Sequence, residues 1–274
     1  AQLLGYHTHA HFVLEERMAK TPKNVCDFLE NLLEKALPAA KKEFKELEAF
    51  AKKTEGINRL EKWDSAYYSE KLKQEHFNFD EEQLKPYFKL ENVIEGAFKV
   101  AHKLFGLNFT ETKEIDTYHK EVVTYKVVDL EQNLVAIFYT DFFPRKGKRN
   151  GAWMTSFKPQ FFKDGIQQRP HVSIVCNFTK PTPTKPSLLT FSEVTTLFHE
   201  FGHGLHHMLT TETHLRCSGI NGVAWDAVEL PSQLMENWCW DKQAIGLISS
   251  HYQTGAPLPD QLLTKLIQAK NFQA

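Results

Sequence analysis

The apolar positions along the N-terminal part of the chain recur at the period of an α-helix. Within residues 25–53, Phe28, Leu29, Leu32, Leu33, Leu37, Phe44, Leu47 and Phe50 fall three and four residues apart, with Lys and Glu on the other face. That spacing predicts a long surface helix, which Gly56 ends. Residues 10–18 carry a shorter helical pattern, and Thr21-Pro22 marks a break and a new helix start. Residues 64–72 and 80–87 predict short helices, and 90–105 another, closed by Gly106 as its C-cap. The period then changes. Residues 122–128 and 134–139 are β-branched and aromatic runs joined by a short polar turn, which predicts a hairpin or adjacent strands. Residues 153–157 and 172–178 predict further strands, 179–186 form a Pro/Thr-rich connector, and the helical period returns from Phe191. The pattern predicts a mainly α protein with a small β-sheet inserted before a late helix, in three regions: 1–118 helical, 119–190 sheet and 191–274 helical.

Composition narrows the partners. A formal charge of −1, from 33 basic and 34 acidic side chains, argues against a nucleic acid or an anionic membrane held by bulk electrostatics. No apolar run approaches the ~20 residues that span a bilayer. Cys26, Cys176, Cys217 and Cys239 are far apart with no Cys-x-x-Cys pair, so we expect free, mostly buried thiols in a reducing compartment. No secretion signal is visible at the start, where the pattern is already helical, and the expected compartment is the cytoplasm, with the periplasm left open.

The chemistry sits in residues 196–204, Thr-Leu-Phe-His-Glu-Phe-Gly-His-Gly. Four residues is slightly more than one helical turn, so His199 and His203 leave the same face and can share one ion. Glu200 projects about 100° away from His199 and can reach a water at the metal without ligating it. Neutral imidazole and carboxylate suit Zn²⁺, one per chain. A metzincin would need Gly at 206 and His at 209, where this chain has His206 and Leu209. His206 therefore reads as a packing histidine or one that supports the ligands, and His214 lies in a polar stretch with nothing to hold it. The better third ligand is Glu229, in a second apolar-periodic segment over 225–238. Asp226 lies three residues before it on the same helical face, where it could hold the free N–H of a ligand imidazole; Glu236, two turns on, could do likewise. Pro231 is expected to kink this helix and leave the Ala227 carbonyl without its usual partner.

His199-Glu200-Phe201-Gly202-His203 followed by Asp226-Ala227-Val228-Glu229-Leu230-Pro231-Ser232-Gln233 resembles the thimet oligopeptidase family of zinc peptidases. Residues 87–93, 151–154, 175–178 and 251–255 resemble its bacterial peptidyl-dipeptidase branch in particular. The resemblance implies a multi-helix, two-lobed zincin-type enzyme whose channel admits short unstructured peptides, with His199, His203 and Glu229 as ligands and Glu200 as base. It also implies that Gly151, Ala152 and Trp153 line the cleft and pair with an extended peptide. Members of the family are longer, so the expectation is one catalytic domain truncated at both ends, monomeric and nearly inactive alone. The expected activity is release of dipeptides from the C-terminus of short peptides. Internal cleavage of short peptides, a zinc aminopeptidase and a non-catalytic helical scaffold are the rival readings.

Overall fold

The structure is a computed structural model and describes residues 1–273. It divides into two compact units, residues 1–81 with the segment from Pro259 onward, and residues 82–258. These cuts fall elsewhere than the three regions drawn from sequence periodicity.

In the first unit, α1 (His9–Leu14) leads into α2 (Pro22–Glu55), and α3 (Ser65–Phe77) follows. Thr21 caps α2 by accepting the Asn24 amide at 3.2 Å. Pro22 lies in the first turn, where its missing N–H costs nothing. Gly56 ends the helix in the left-handed region, φ 71°, donating its N–H to Lys52. The core of this unit gathers Leu47, Phe50, Ala51, Leu60, Tyr68 and Leu72, with Phe272 of the C-terminal segment packed against it. Phe28, Leu29, Leu32 and Leu33, on the earlier turns of α2, stay exposed among the described residues. The periodicity placed the helix correctly, but only its last third is buried.

The second unit opens with α4 (Leu90–Phe105), stopped by Gly106 at φ 69°. A five-stranded mixed sheet follows, built from β1 (Asn108–Glu111), β2 (Val123–Val128), β3 (Leu134–Asp141), β4 (Trp153–Lys158) and β7 (His171–Val175). Its order is β1-β2-β3-β7-β4, which leaves β1 and β4 as the edges. β2 and β3 form the expected antiparallel hairpin, β3 and β7 run parallel, and β4 runs antiparallel to β7. A separate small hairpin, β5 (Phe161–Lys163) with β6 (Ile166–Gln168), turns at Asp164 and Gly165, both at positive φ.

α5 (Phe191–Met208) packs on this sheet. A capping box sets its start: Thr190 Oγ1 accepts the Glu193 amide at 3.1 Å, and Glu193 Oε2 accepts the Thr190 amide at 2.8 Å. From that register Val194, Leu197, Phe198, Phe201, Leu205 and Met208 are all buried. Phe201 joins an aromatic cluster with Phe138 at 5.7 Å and with the stacked pair Phe98–Phe109 at 4.1 Å. α6 (Leu230–Glu236) then crosses α5, and α7 (Lys242–Ile248) follows. The crossing is closest at Gly202, where an added Cβ would lie 2.6 Å from both the Pro231 carbonyl oxygen and Ser232 Cα.

Two expectations fail at α6. The helix does not span 225–238 with a kink: it begins at Leu230, with Pro231 in its first turn and Glu229 as N-cap. The Ala227 carbonyl accepts the Leu230 amide at 3.1 Å, so it keeps a partner. Proline starts the helix because its fixed φ suits a first turn. The cysteines also depart from expectation: Cys176 and Cys239 are buried, but Cys26 and Cys217 are exposed, all four as free thiols.

A buried ion cluster closes the C-terminal end of the sheet. Arg145 grips Asp141 with both guanidinium nitrogens, at 2.7 and 2.8 Å, and Tyr118 Oη donates to the same carboxylate at 2.9 Å. Lys148 Nζ donates to Asp141 Oδ1, to the Asp141 and Phe143 carbonyls, and to the Cys176 carbonyl. Burial pushes the Asp141 carboxyl up, but the bonds from Arg145, Lys148 and Tyr118 outweigh it and hold the group below the usual aspartate range.

Two predictions follow from this packing. Gly202→Ala costs about 1–3 kcal/mol in urea unfolding, because neither contacted backbone atom can retreat freely. Gly246→Ala, inside α7 with nothing within 4 Å of the added Cβ, is instead neutral or stabilising by up to about 1 kcal/mol. Equal effects at the two glycines would refute the close-crossing account. Asp141→Asn costs about 3 kcal/mol at neutral pH, since it strands buried cations. A depressed carboxyl stabilises above its unfolded pKa and loses that contribution as pH falls through the lowered native value. The gap between wild type and Asp141→Asn therefore narrows below the ordinary aspartate range, and a constant gap in acid would sink the assignment.

Candidate metal centre

α5 and α6 bring three donors together. His199 Nε2 lies 3.2 Å and His203 Nε2 3.0 Å from the same Glu229 oxygen, Oε2. All three donor atoms fall within 4.8 Å of one another. Donors of a tetrahedral zinc site, at bonds of ~2.0–2.1 Å, sit about 3.3 Å apart. Two imidazole nitrogens and one carboxylate oxygen at this spacing fit zinc in both chemistry and size.

Two of the donors, Glu229 and His199, are held by hydrogen bonds with neighbouring side chains. Ser232 is fully buried, and its hydroxyl lies 2.8 Å from both the Glu229 carbonyl and Glu229 Oε2. Burial raises the Glu229 carboxyl, but the Ser232 hydroxyl and the His203 and His199 imidazoles outweigh it, keeping the group ionised below its usual range. Burial, against the pull of Glu229, keeps His203 below its ordinary value and so neutral, as a ligand requires. Glu236 Oε1 sits 2.6 Å from His199 Nδ1, which leaves Nε2 turned to the shared donors.

Glu200 lies beside the donors without joining them. It is 7% exposed. Burial and the Glu229 charge push its carboxyl up to about 7, while His199 and the Met154 backbone amide pull the other way. It lines a cavity of about 410 Å³ with Ala152, Ser192, Thr195, Thr196, His199 and Glu236.

Other residues singled out from the sequence are distributed differently. Asp226 is exposed in the turn before α6, so the helical spacing that paired it with Glu229 does not exist. It holds neither imidazole: His199 Nδ1 meets Glu236, and His203 Nδ1 is buried without a hydrogen-bond partner. His206 lines a separate cavity of about 590 Å³ with Phe105, Leu209 and Leu234, which none of the three donors lines, and its nearby imidazole helps keep His203 below its ordinary value. Gly151, Ala152 and Trp153 do not act as one surface. Ala152 faces the cavity at Glu200, Trp153 lines another with Arg145 and Lys148, and the Gly151 carbonyl accepts Asn177 Nδ2 at 2.8 Å. Periodicity gave no hint of Ser232, although its place three residues after Glu229 is the spacing of a hydroxyl that returns to its own helix start.

The profile of Peptidase family M3 matches residues 1–274. Oligopeptidase A of Salmonella typhimurium is 48% identical over the whole chain, which covers 40% of that protein. Dipeptidyl carboxypeptidase of Escherichia coli is 38% identical over 99% of the chain, again 40% of its own length. Saccharolysin of Saccharomyces cerevisiae is 37% identical over 99% of the chain and 40% of its length. The chain thus spans about two fifths of these curated relatives, and the peptidyl-dipeptidase branch is not favoured over the oligopeptidases. A profile match along the full length, with identities of this size, makes the chain a member of peptidase family M3.

Proposed function

We propose that this chain carries the zinc centre of a metallopeptidase that hydrolyses short oligopeptides. The observation that carries the reading is the meeting of His199 Nε2, His203 Nε2 and Glu229 Oε2 next to a buried Glu200. Zinc held there would polarise the scissile carbonyl and acidify a water. Glu200, pushed toward neutrality by burial, takes the proton from the attacking water and passes it to the leaving amine. Glu236 keeps His199 in one orientation and tautomer. β4 is an edge strand, against which an extended peptide adds as a further strand.

The higher identity to oligopeptidase A supports cleavage of internal bonds. Release of C-terminal dipeptides is the second reading, supported by the relative named for that activity. A short peptide acetylated at its N-terminus and amidated at its C-terminus separates them. An internal cleaver hydrolyses it, whereas an aminopeptidase requires the free amine and a dipeptidyl carboxypeptidase the free carboxylate.

Zinc at about a thousand times its Kd stabilises the wild-type chain by about 4 kcal/mol in urea unfolding. Glu229→Ala abolishes most of that gain, and an undiminished gain would exclude Glu229 as a ligand. In the whole protein that carries these residues, Glu200→Gln retains one zinc and lowers kcat by about 10²–10⁴. Full activity in that variant would end the assignment of Glu200 as base.

A further inference from the structure

We infer that Asn177 is a positioning residue for the peptide substrate, acting through the Gly151–Ala152 peptide plane; this rests on the peptidase reading above. The topology puts Asn177 where it can do so. β7 lies between β3 and β4, so residues 142–152 must cross the C-terminal end of β7 to reach the edge of the sheet. Asn177, just past that end, donates Nδ2 to the Arg149 carbonyl at 2.9 Å and to the Gly151 carbonyl at 2.8 Å. The near side of the crossing is already fixed by Lys148, 3% exposed, bound to the Asp141, Phe143 and Cys176 carbonyls. Asn177 fixes the far side, immediately before the chain enters the site.

The physical link is the planarity of the amide. In a trans peptide the carbonyl and the following N–H point in opposite directions. Holding the Gly151 oxygen on Asn177 therefore turns the Ala152 N–H away from Asn177. Ala152 lines the cavity of His199, Glu200 and Glu236, so the rotation of this single plane decides which polar group a peptide meets there. Gly151 gives the plane freedom to turn: its φ of 97° lies in the region that favours glycine, and nothing lies within 4 Å of an added Cβ. The Asn177 side-chain amide holds the carbonyl of this permissive residue. Asn177 touches none of the metal donors, so its effect belongs to substrate alignment and not to the metal.

The test uses the zinc-loaded whole protein with Asn177→Asp, which keeps the volume but removes both donors, and Asn177→Ser, which retains one. KM for a short peptide rises about tenfold in Asn177→Asp and less in Asn177→Ser, with kcat changed less. Inhibition by acetohydroxamate, a metal ligand with no strand to align, stays within about twofold of wild type. An unchanged KM overturns the proposal, as does an equal loss of acetohydroxamate affinity, which would place the effect at the metal. If the wild-type protein cleaves no peptide, the peptidase reading fails by itself. Hydrogen exchange at the Ala152 amide then decides the positioning role: about tenfold acceleration in Asn177→Asp supports it, and an unchanged rate refutes it.

Discussion

The site depends on one close contact, the crossing of α6 over α5 at Gly202. The Pro231 carbonyl and the Ser232 backbone approach so near that any side chain at 202 would force the helices apart. Glu229 is the residue just before α6, so the approach of the helices sets how near its carboxylate comes to the imidazoles. Metal geometry tolerates only a few tenths of an ångström, while helices with ordinary side chains between them pack 8–10 Å apart. Glycine between the two histidines is what reconciles the two lengths. Ser232 then uses the same approach, because burial at the crossing leaves its hydroxyl no partner better than Glu229.

The sheet serves the same site from the other side. α5 lies on β7 and β4, so a helix fixed by its capping box against a sheet fixed by Asp141, Arg145 and Lys148 has little freedom to slide. Lys148 meets four acceptors, three of them backbone carbonyls at the end of the sheet. A buried cation with that many acceptors ties strand ends together more firmly than a surface pair, whose worth is small. Rigidity is thus concentrated where the edge strand β4 begins.

How much of this was legible follows from what each signal measures. Periodicity located α4 to the residue, with Gly106 as its stop, because a strongly amphipathic helix that ends on a left-handed glycine leaves no competing register. The β2–β3 hairpin was readable from its β-branched runs for the same reason. Asp164-Gly165 is a strong signal for a two-residue hairpin turn, but its flanking strands of three residues carry too little alternation to mark them as strands. Around Glu229 the periodicity misled: Trp225 and Leu230 kept helical spacing but are 72% exposed, since the first lies in a turn and the second on the outer face. Pairing of Asp226 with Glu229 failed with the helix that was to carry it. The histidine pair survived because four-residue spacing within one helix fixes geometry locally, whereas the splitting of Ala152 from Trp153 depends on which face of the sheet is covered.

Three glutamates near the candidate metal centre show how location gives one side chain three environments. Glu229 is half exposed and flanked by a hydroxyl and two imidazoles, so it remains an anion suited to ligation. Glu236 spends its oxygen on His199 Nδ1 and serves orientation. Glu200 is buried and close to the Glu229 charge, so its ionised form is the costly one and its proton affinity moves toward neutrality. A base that binds protons near neutral pH can both accept one from water and release it to an amine. The ordering arises from burial: α5 turns Glu200 toward the sheet one residue after it turns His199 toward the metal. A single helical register therefore separates His199 from Glu200, and the Thr190–Glu193 cap that sets the register lies more than two turns before them.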